Sequence, residues 1–183
     1  KLKFLFFTKK NNIMIISKEK VVSVNYYLTA NKDNLPEELI EETSHENPFI
    51  FLFGSDGVLP DFESNLNGKQ KGDKFDFRIT AEKGYGLYDK EYLVNIDKAA
   101  FELDGKFDES RVIVGHDIEM RDNDGNPLIG KVLAISDKIV EMDFNHPLAG
   151  HDLHFVGEVL DVREASKEEL DHGHVHGEHG HHH

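Results

Sequence analysis

The stretch VLPDFESNLNGKQKGDKFDFRIT, residues 58–80, changes its hydrophobic period midway. Over the first half, Leu59, Phe62 and Leu66 recur at i, i+3 and i+7, the apolar stripe of a short helix. Pro60 stands where a first-turn proline is tolerated, and Asn67-Gly68 supplies a left-handed stop. Over the second half the period falls to two. Phe75, Phe77 and Ile79 share one face, with Lys74, Asp76 and Arg78 on the other, as a half-exposed antiparallel strand requires.

Outward from this helix and strand, the chain is mostly short strands. Upstream, FIFLFG (49–54) is a compact apolar run closed by glycine, suited to a buried strand, and KVVSVNYYL (20–28) is rich in β-branched and aromatic residues. Between them, TANKDNLPEELIEETSHENP (29–48) carries five glutamates between Glu37 and Glu46 and is expected as a solvated loop or short helical turn. Downstream, EKGYGLYD (82–89) is a glycine-punctuated loop with two tyrosines, and near Leu93 the texture changes. VNIDKAAFEL suggests an extended piece and a turn capped by Asp97, while RVIVGHDIEM, LIGKVLAIS and KIVEMDF form three short strands joined by the turns RDNDGNP and SDK. LHFVGEVLDVREA (153–165) closes the series with Leu153, Phe155 and Val159 on one face. The fold class is therefore mainly β (α+β), with a small β-module inside the chain.

Composition narrows the function classes. Against 21 basic residues stand 35 acidic ones, a formal charge of −14, which disfavours nucleic acid and anionic membrane surfaces as partners. There is no cysteine, so thiolate metal sites and cysteine nucleophiles are excluded. No run approaches the roughly 18 apolar residues of a membrane span. KLKFLFFTKKNNIM has an apolar stretch too short for a secretory signal, so residues 1–13 are expected to be a leader or remnant, with Met14 as a plausible start.

Seven of the twelve histidines, His172, His174, His176, His179, His181, His182 and His183, lie in the terminal tract DHGHVHGEHGHHH. Imidazoles on a flexible chain can wrap a borderline divalent ion such as nickel or zinc. The tract is interleaved with other residues and runs on from EASKEELD, so it is expected to be a native tail over 166–183; its last three histidines look most like a purification handle. His45, His116, His146, His151 and His154 show no metal-ligand spacing, and no nucleophile elbow, phosphate loop or dinucleotide fingerprint is present. Tyr26, Phe51, Phe62, Tyr85 and Phe155 fall on five separate elements; taken alone, such residues are ordinary core.

The order of elements nonetheless resembles the FKBP-type peptidyl-prolyl isomerases, above all the bacterial SlyD-like branch. The resemblance is carried by G-x-x-x-G-D-K-F at 68–75, GYG at 84–86, and NHPLAG followed by LHFVGEV and a histidine-rich end, and it extends over nearly everything from Ile16 onward. It implies a half-open antiparallel sheet wrapped on a short helix, formed by 14–92 and 147–165. It also implies an inserted insert-in-flap domain over 93–146 that binds unfolded chains.

The implied prolyl pocket comprises Tyr26, Glu41, Phe51, Val58, Leu59, Phe62, Tyr85 and Phe155. In it Glu41 orders the Tyr26 hydroxyl, the backbone of Val58 and Leu59 receives substrate, and the Tyr85 hydroxyl donates to the substrate carbonyl. Glu41 replaces the family's usual aspartate, Pro60-Asp61 stands where small residues are common, and the loop from Thr29 to Glu42 is long; each bears on pocket shape. Val94, Ile96, Phe101, Leu128 and Ile129 are candidates for the chaperone surface, and small-domain core accounts for each equally well.

The expected activity is peptidyl-prolyl cis-trans isomerisation with holdase function on unfolded, proline-containing chains. No cofactor is expected for isomerisation, and nickel or zinc is expected on the tail. Metallocentre-assembly proteins are a further partner class, and a cytoplasmic monomer is expected. The alternatives are a nickel or zinc metallochaperone using the body as a carrier, and a holdase with a decayed pocket.

Overall fold

The computed structural model describes residues 13–32, 35–122 and 124–175. The leader expected over 1–13 lies outside them save for Ile13. Two compact units divide the chain: one runs to Gly84 and resumes at His151, and the other is Tyr85–Gly150.

The first unit is built on β1 (Lys20–Asn31), whose entire length pairs antiparallel with β11 (Asp152–Glu164). β11 pairs in turn with β4 (Lys74–Ile79). The other edge of β1 is shared end to end by β2 (Glu38–Glu42), opposite Tyr27 to Ala30, and β3 (Phe49–Leu52), opposite Val21 to Val24. The sheet order is β2-β1-β11-β4, with β3 also on β1. Period two along β1 turns Val22, Val24, Tyr26, Leu28 and Ala30 to the buried face. On β11 a register shift opposite Ser23 and Val24 changes parity, so Leu153, Phe155 and Val159 and then Val162 are all buried.

Helix α1 (Pro60–Leu66) lies where the 58–66 stripe places it, with Pro60 in its first turn and Gly68 at φ +80° beyond its end. Phe62 and Leu66 are its buried residues. β4 alternates as expected, with Phe75 and Ile79 buried and Lys74, Asp76 and Arg78 exposed. Ile16, fully buried, is clamped to the helix exit by its N–H to the Lys69 carbonyl (2.7 Å) and by the Gly68 N–H to its own carbonyl (2.9 Å). At Gly157, opposite Tyr26, an added Cβ would run into the Asn25 carbonyl, Phe75 Cζ (2.7 Å) and Tyr26 Cα (2.9 Å). The absent side chain is what lets β1 and the Phe75 ring close on β11.

The acidic 29–48 stretch departs from expectation. It is neither a continuous loop nor a helical turn, because β1 extends to Asn31 and residues 38–42 return as β2 along its edge. Edge pairing satisfies backbone groups while leaving the glutamates in water. Glu37, just ahead of β2, accepts from Thr29 Oγ1 (2.7 Å) and pairs with Arg78 (2.5 Å) and with His154 Nδ1 (3.3 Å). These bonds, Thr29 first, hold its carboxyl at a pKa of about 2.

The root of the expected flexible tail is also ordered. Residues 167–172 form helix α2 (Lys167–His172), with Ser166 and Glu169 in a capping box and Gly173 as a left-handed stop. Glu169 is 3% exposed and is gripped by both Arg163 guanidinium nitrogens, at 2.6 and 2.8 Å.

The second unit has a four-stranded antiparallel sheet, ordered β5-β10-β9-β8: β5 (Leu93–Asp97), β8 (Asp117–Arg121), β9 (Pro127–Ile135) and β10 (Ile139–Asp143). A two-residue pair, β6 (Glu102–Leu103) with β7 (Lys106–Phe107), lies between β5 and β8 in the chain. Asp97 caps the turn after β5 by accepting from the Ala99 N–H, and hairpins link β8 to β9 and β9 to β10, as the turn residues require. RVIVG is not strand: Val112 is buried just past the turn at 109–111, and β8 begins at Asp117. The core is Val112, Ile118, Val132, Val140 and Met142.

The insertion was expected at 93–146; the compact unit also takes in the connections on either side. Asn145 accepts from the Asp89 N–H and donates to the Asp89 carbonyl (both 2.9 Å), the Tyr88 hydroxyl donates to Asp143 (2.9 Å), and the Gly150 N–H donates to the Gly86 carbonyl (2.8 Å). These bonds zip the entering and leaving segments together.

Candidate active site

In the first unit, five rings from four strands converge on Phe62 of α1. Its centroid lies 5.0 Å from Phe155, 5.7 Å from Phe51, 5.8 Å from Phe77, 6.1 Å from Tyr26 and 6.3 Å from Phe49, all edge-to-face. Tyr26 meets Phe155 at 5.4 Å, and Phe77 stacks on Phe155 at 5.5 Å. Register explains the convergence: Leu28, Phe155 and Phe77 stand side by side across β1, β11 and β4. Tyr26, Phe51, Phe62 and Phe155 are each no more than 6% exposed, whereas Phe49 and Phe77 are half-buried. Val58 and Leu59, also half-buried, lie on the turn that enters α1.

One hydroxyl enters this apolar wall. Tyr26 Oη donates to Glu41 Oε2 at 2.9 Å. The bond becomes possible because β2 lays Glu41 beside Leu28, and Thr43 fixes the end of β2: its hydroxyl accepts from the Tyr26 N–H (2.8 Å) and its N–H donates to the Tyr26 carbonyl (3.0 Å). The Pro60-Asp61 departure is built into the start of the helix, with Asp61 paired to Lys83 at 3.2 Å.

Of the eight pocket candidates, the structure brings Tyr26, Glu41, Phe51, Phe62 and Phe155 together and puts Val58 and Leu59 at the mouth of α1. Tyr85 belongs to the second unit, where its ring stacks on His146 with centroids 3.9 Å apart and planes 4° from parallel. Phe49 and Phe77 were missed. Each shares a face with a residue two positions away, Phe51 and Phe75, and for Phe49 that period-two spacing was the available signal.

The candidates for the chaperone surface divide. Ile96 and Phe101 pack against the core of the second unit, and Leu128, opposite Met120, is half-buried. Val94 and Ile129 are 39% and 61% exposed. Phe101 also lines a cavity of about 250 Å³ with Leu103, Arg111, Val112, Met120 and Arg121. In the tail, His172 and His174 are described, their rings stacked 5.7 Å apart; His176, His179, His181, His182 and His183 lie outside the described residues. Among the described residues no group of three or more His, Asp or Glu side chains is placed to hold a metal, and no helix is long and apolar enough to cross a membrane.

Residues 14–104 match the family model for FKBP-type peptidyl-prolyl cis-trans isomerase. The chain is 39% identical to the FKBP-type peptidyl-prolyl cis-trans isomerase SlyD of Yersinia pestis over 165 residues, covering 90% of this chain and 80% of that one. The chain belongs to the FKBP-type peptidyl-prolyl cis-trans isomerases. Similarity to the proteins named SlyD is broad: that of Haemophilus influenzae is 36% identical over 91% of this chain and 82% of its own length, and that of Escherichia coli is 36% identical over 91% and 80%.

Proposed function

We propose that this isomerase acts on X-Pro bonds of unfolded and partly folded polypeptides, twisting the amide against the ring wall centred on Phe62. The observation that carries this reading is the convergence of five rings on Phe62, one of them Tyr26, whose hydroxyl donates to Glu41. The X-Pro bond resists rotation by about 18–20 kcal/mol through amide resonance, and uncatalysed exchange takes tens to hundreds of seconds. At the twisted transition state, conjugation is lost and the carbonyl is less polar. A surface that strips water from the amide therefore favours it over the solvated planar ground state. Each tenfold in rate needs only about 1.4 kcal/mol, so differential desolvation and one or two hydrogen bonds are of sufficient size, with no covalent intermediate. By the family resemblance, the Tyr85 hydroxyl is the donor to the substrate carbonyl, and Val58 and Leu59 receive the substrate through their backbone.

The second unit serves as a tethered holdase that raises the local concentration of unfolded chain, with Val94, Ile96, Phe101, Leu128 and Ile129 as its candidate surface. Isomerisation needs no cofactor in this scheme. The histidine tail binds nickel or zinc as an accessory role, which links the protein to metallocentre-assembly partners, and the protein works as a monomer in the cytoplasm. Exchange spectroscopy on a short X-Pro peptide tests the central reading: cis-trans exchange is expected to quicken with catalytic amounts of protein, and unchanged exchange refutes it. Calorimetric nickel titration of the full chain against a chain ending at Ala165 tests the tail, where equal stoichiometry removes it from the account.

A further inference from the structure

The second unit holds an arrangement that the ring wall does not use. Tyr85 and His146 enter it from opposite ends of the insertion, yet their rings lie face to face, 3.9 Å apart and 4° from parallel. Bonds on both sides hold the two segments in register: the Gly150 N–H to the carbonyl of Gly86, next to Tyr85, and Asn145, next to His146, to Asp89. The imidazole is itself fixed. Its Nδ1 accepts from the Leu148 N–H at 3.1 Å, and the His146 carbonyl accepts from the Ala149 N–H at 2.8 Å. Only an unprotonated Nδ1 can accept that bond, and desolvation lowers the pKa of His146, which favours the neutral ring. A flat, neutral, hydrogen-bonded ring is a platform that limits rotation of the tyrosine stacked on it.

We infer that His146 is a positioning residue for isomerisation, holding the plane of the Tyr85 ring and so the direction in which its hydroxyl donates. The inference rests on the proposed role of Tyr85 as donor to the substrate carbonyl. An aligned donor contributes to catalysis only if its direction is set before the amide twists.

The test uses the full chain and the variants Tyr85→Phe, His146→Ala, His146→Phe and Tyr85→Phe/His146→Ala, assayed for kcat/KM on an X-Pro peptide. Tyr85→Phe removes the donor and is expected to lower kcat/KM about tenfold, the size of effect expected from losing one well-placed hydrogen bond. His146→Ala should lower it by a similar factor, mainly through kcat. The double variant should fall little further, because both changes remove one coupled unit. His146→Phe keeps a stacking face and should recover most of the rate.

NMR supplies a readout independent of activity, and in the unmodified chain it needs no variant to fold. In the unmodified chain the His146 ring protons should be shifted upfield by the Tyr85 ring, and the shift should persist in Tyr85→Phe and vanish in Tyr85→Leu. If Tyr85→Phe slows isomerisation while His146→Ala does not, the positioning role is overturned and the donor role stands. An unchanged rate in Tyr85→Phe overturns the donor role instead. Absence of the upfield shift in the unmodified chain overturns the stack itself.

Discussion

Tyr26 lies 5% exposed among rings, and its hydroxyl is directed to Glu41 across the β1-β2 pair. Tyr26→Phe keeps the ring contacts with Phe49, Phe62 and Phe155 and removes the hydroxyl that donates to Glu41. A net hydrogen bond contributes about 1 kcal/mol, so kcat/KM is expected to fall about fivefold with little change in peptide KM, measured by exchange on an X-Pro peptide. Equal activity would mean that the hydroxyl serves only the fold. At this scale the sequence was informative but incomplete. The alternation of β4 and the helical stripe were plain, and the resemblance picked out Tyr26, Glu41, Phe51, Phe62 and Phe155, which the fold brings together. Phe77 was legible as an inward residue yet not as part of the wall, because its place beside Phe155 depends on the register of two strands far apart in the chain.

Elements whose stability comes from partners were the ones the sequence concealed. β2 has exposed glutamates and little apolar pattern, and it forms because β1 offers an unpaired edge. α2 is a six-residue helix, too short to persist alone, and it is held by the Arg163-Glu169 pair and the capping box. Glu169 also yields a pH prediction. Its carboxyl is lowered from 4.5 to about 2, chiefly by the hydrogen bond with Arg163. A depressed folded-state pKa means that this contribution is complete above about 4.5 and is lost as pH falls toward about 2. Protection of the Leu170 and Gly173 amides, whose N–H groups bond to the Ser166 and Glu169 carbonyls, should therefore fall across that window when exchange is referred to the unstructured rate at each pH. Glu169→Gln should make the same amides exchange fast at neutral pH, and slow exchange in that variant would show that the helix stands without the pair.

For the whole molecule, isomerisation is proposed for the ring wall with Tyr85 and capture of unfolded chain for the distal sheet of the second unit. The zipper of Tyr88, Asp89, Asp143 and Asn145 closes the base of the insertion, where Asp143 ends β10. Replacing residues 94–142 with a short flexible linker retains Tyr85, His146 and the base. Such a variant is expected to retain peptide isomerase activity and to lose suppression of aggregation of an unfolded protein, measured by light scattering. Retained suppression would place the holdase surface elsewhere. The most direct test of the central claim is the proline-limited slow phase of a refolding protein, followed by fluorescence with substoichiometric amounts of the full chain. The account predicts acceleration in proportion to the amount of chain added, weakened in Tyr26→Phe; a slow phase unchanged by the full chain would contradict it.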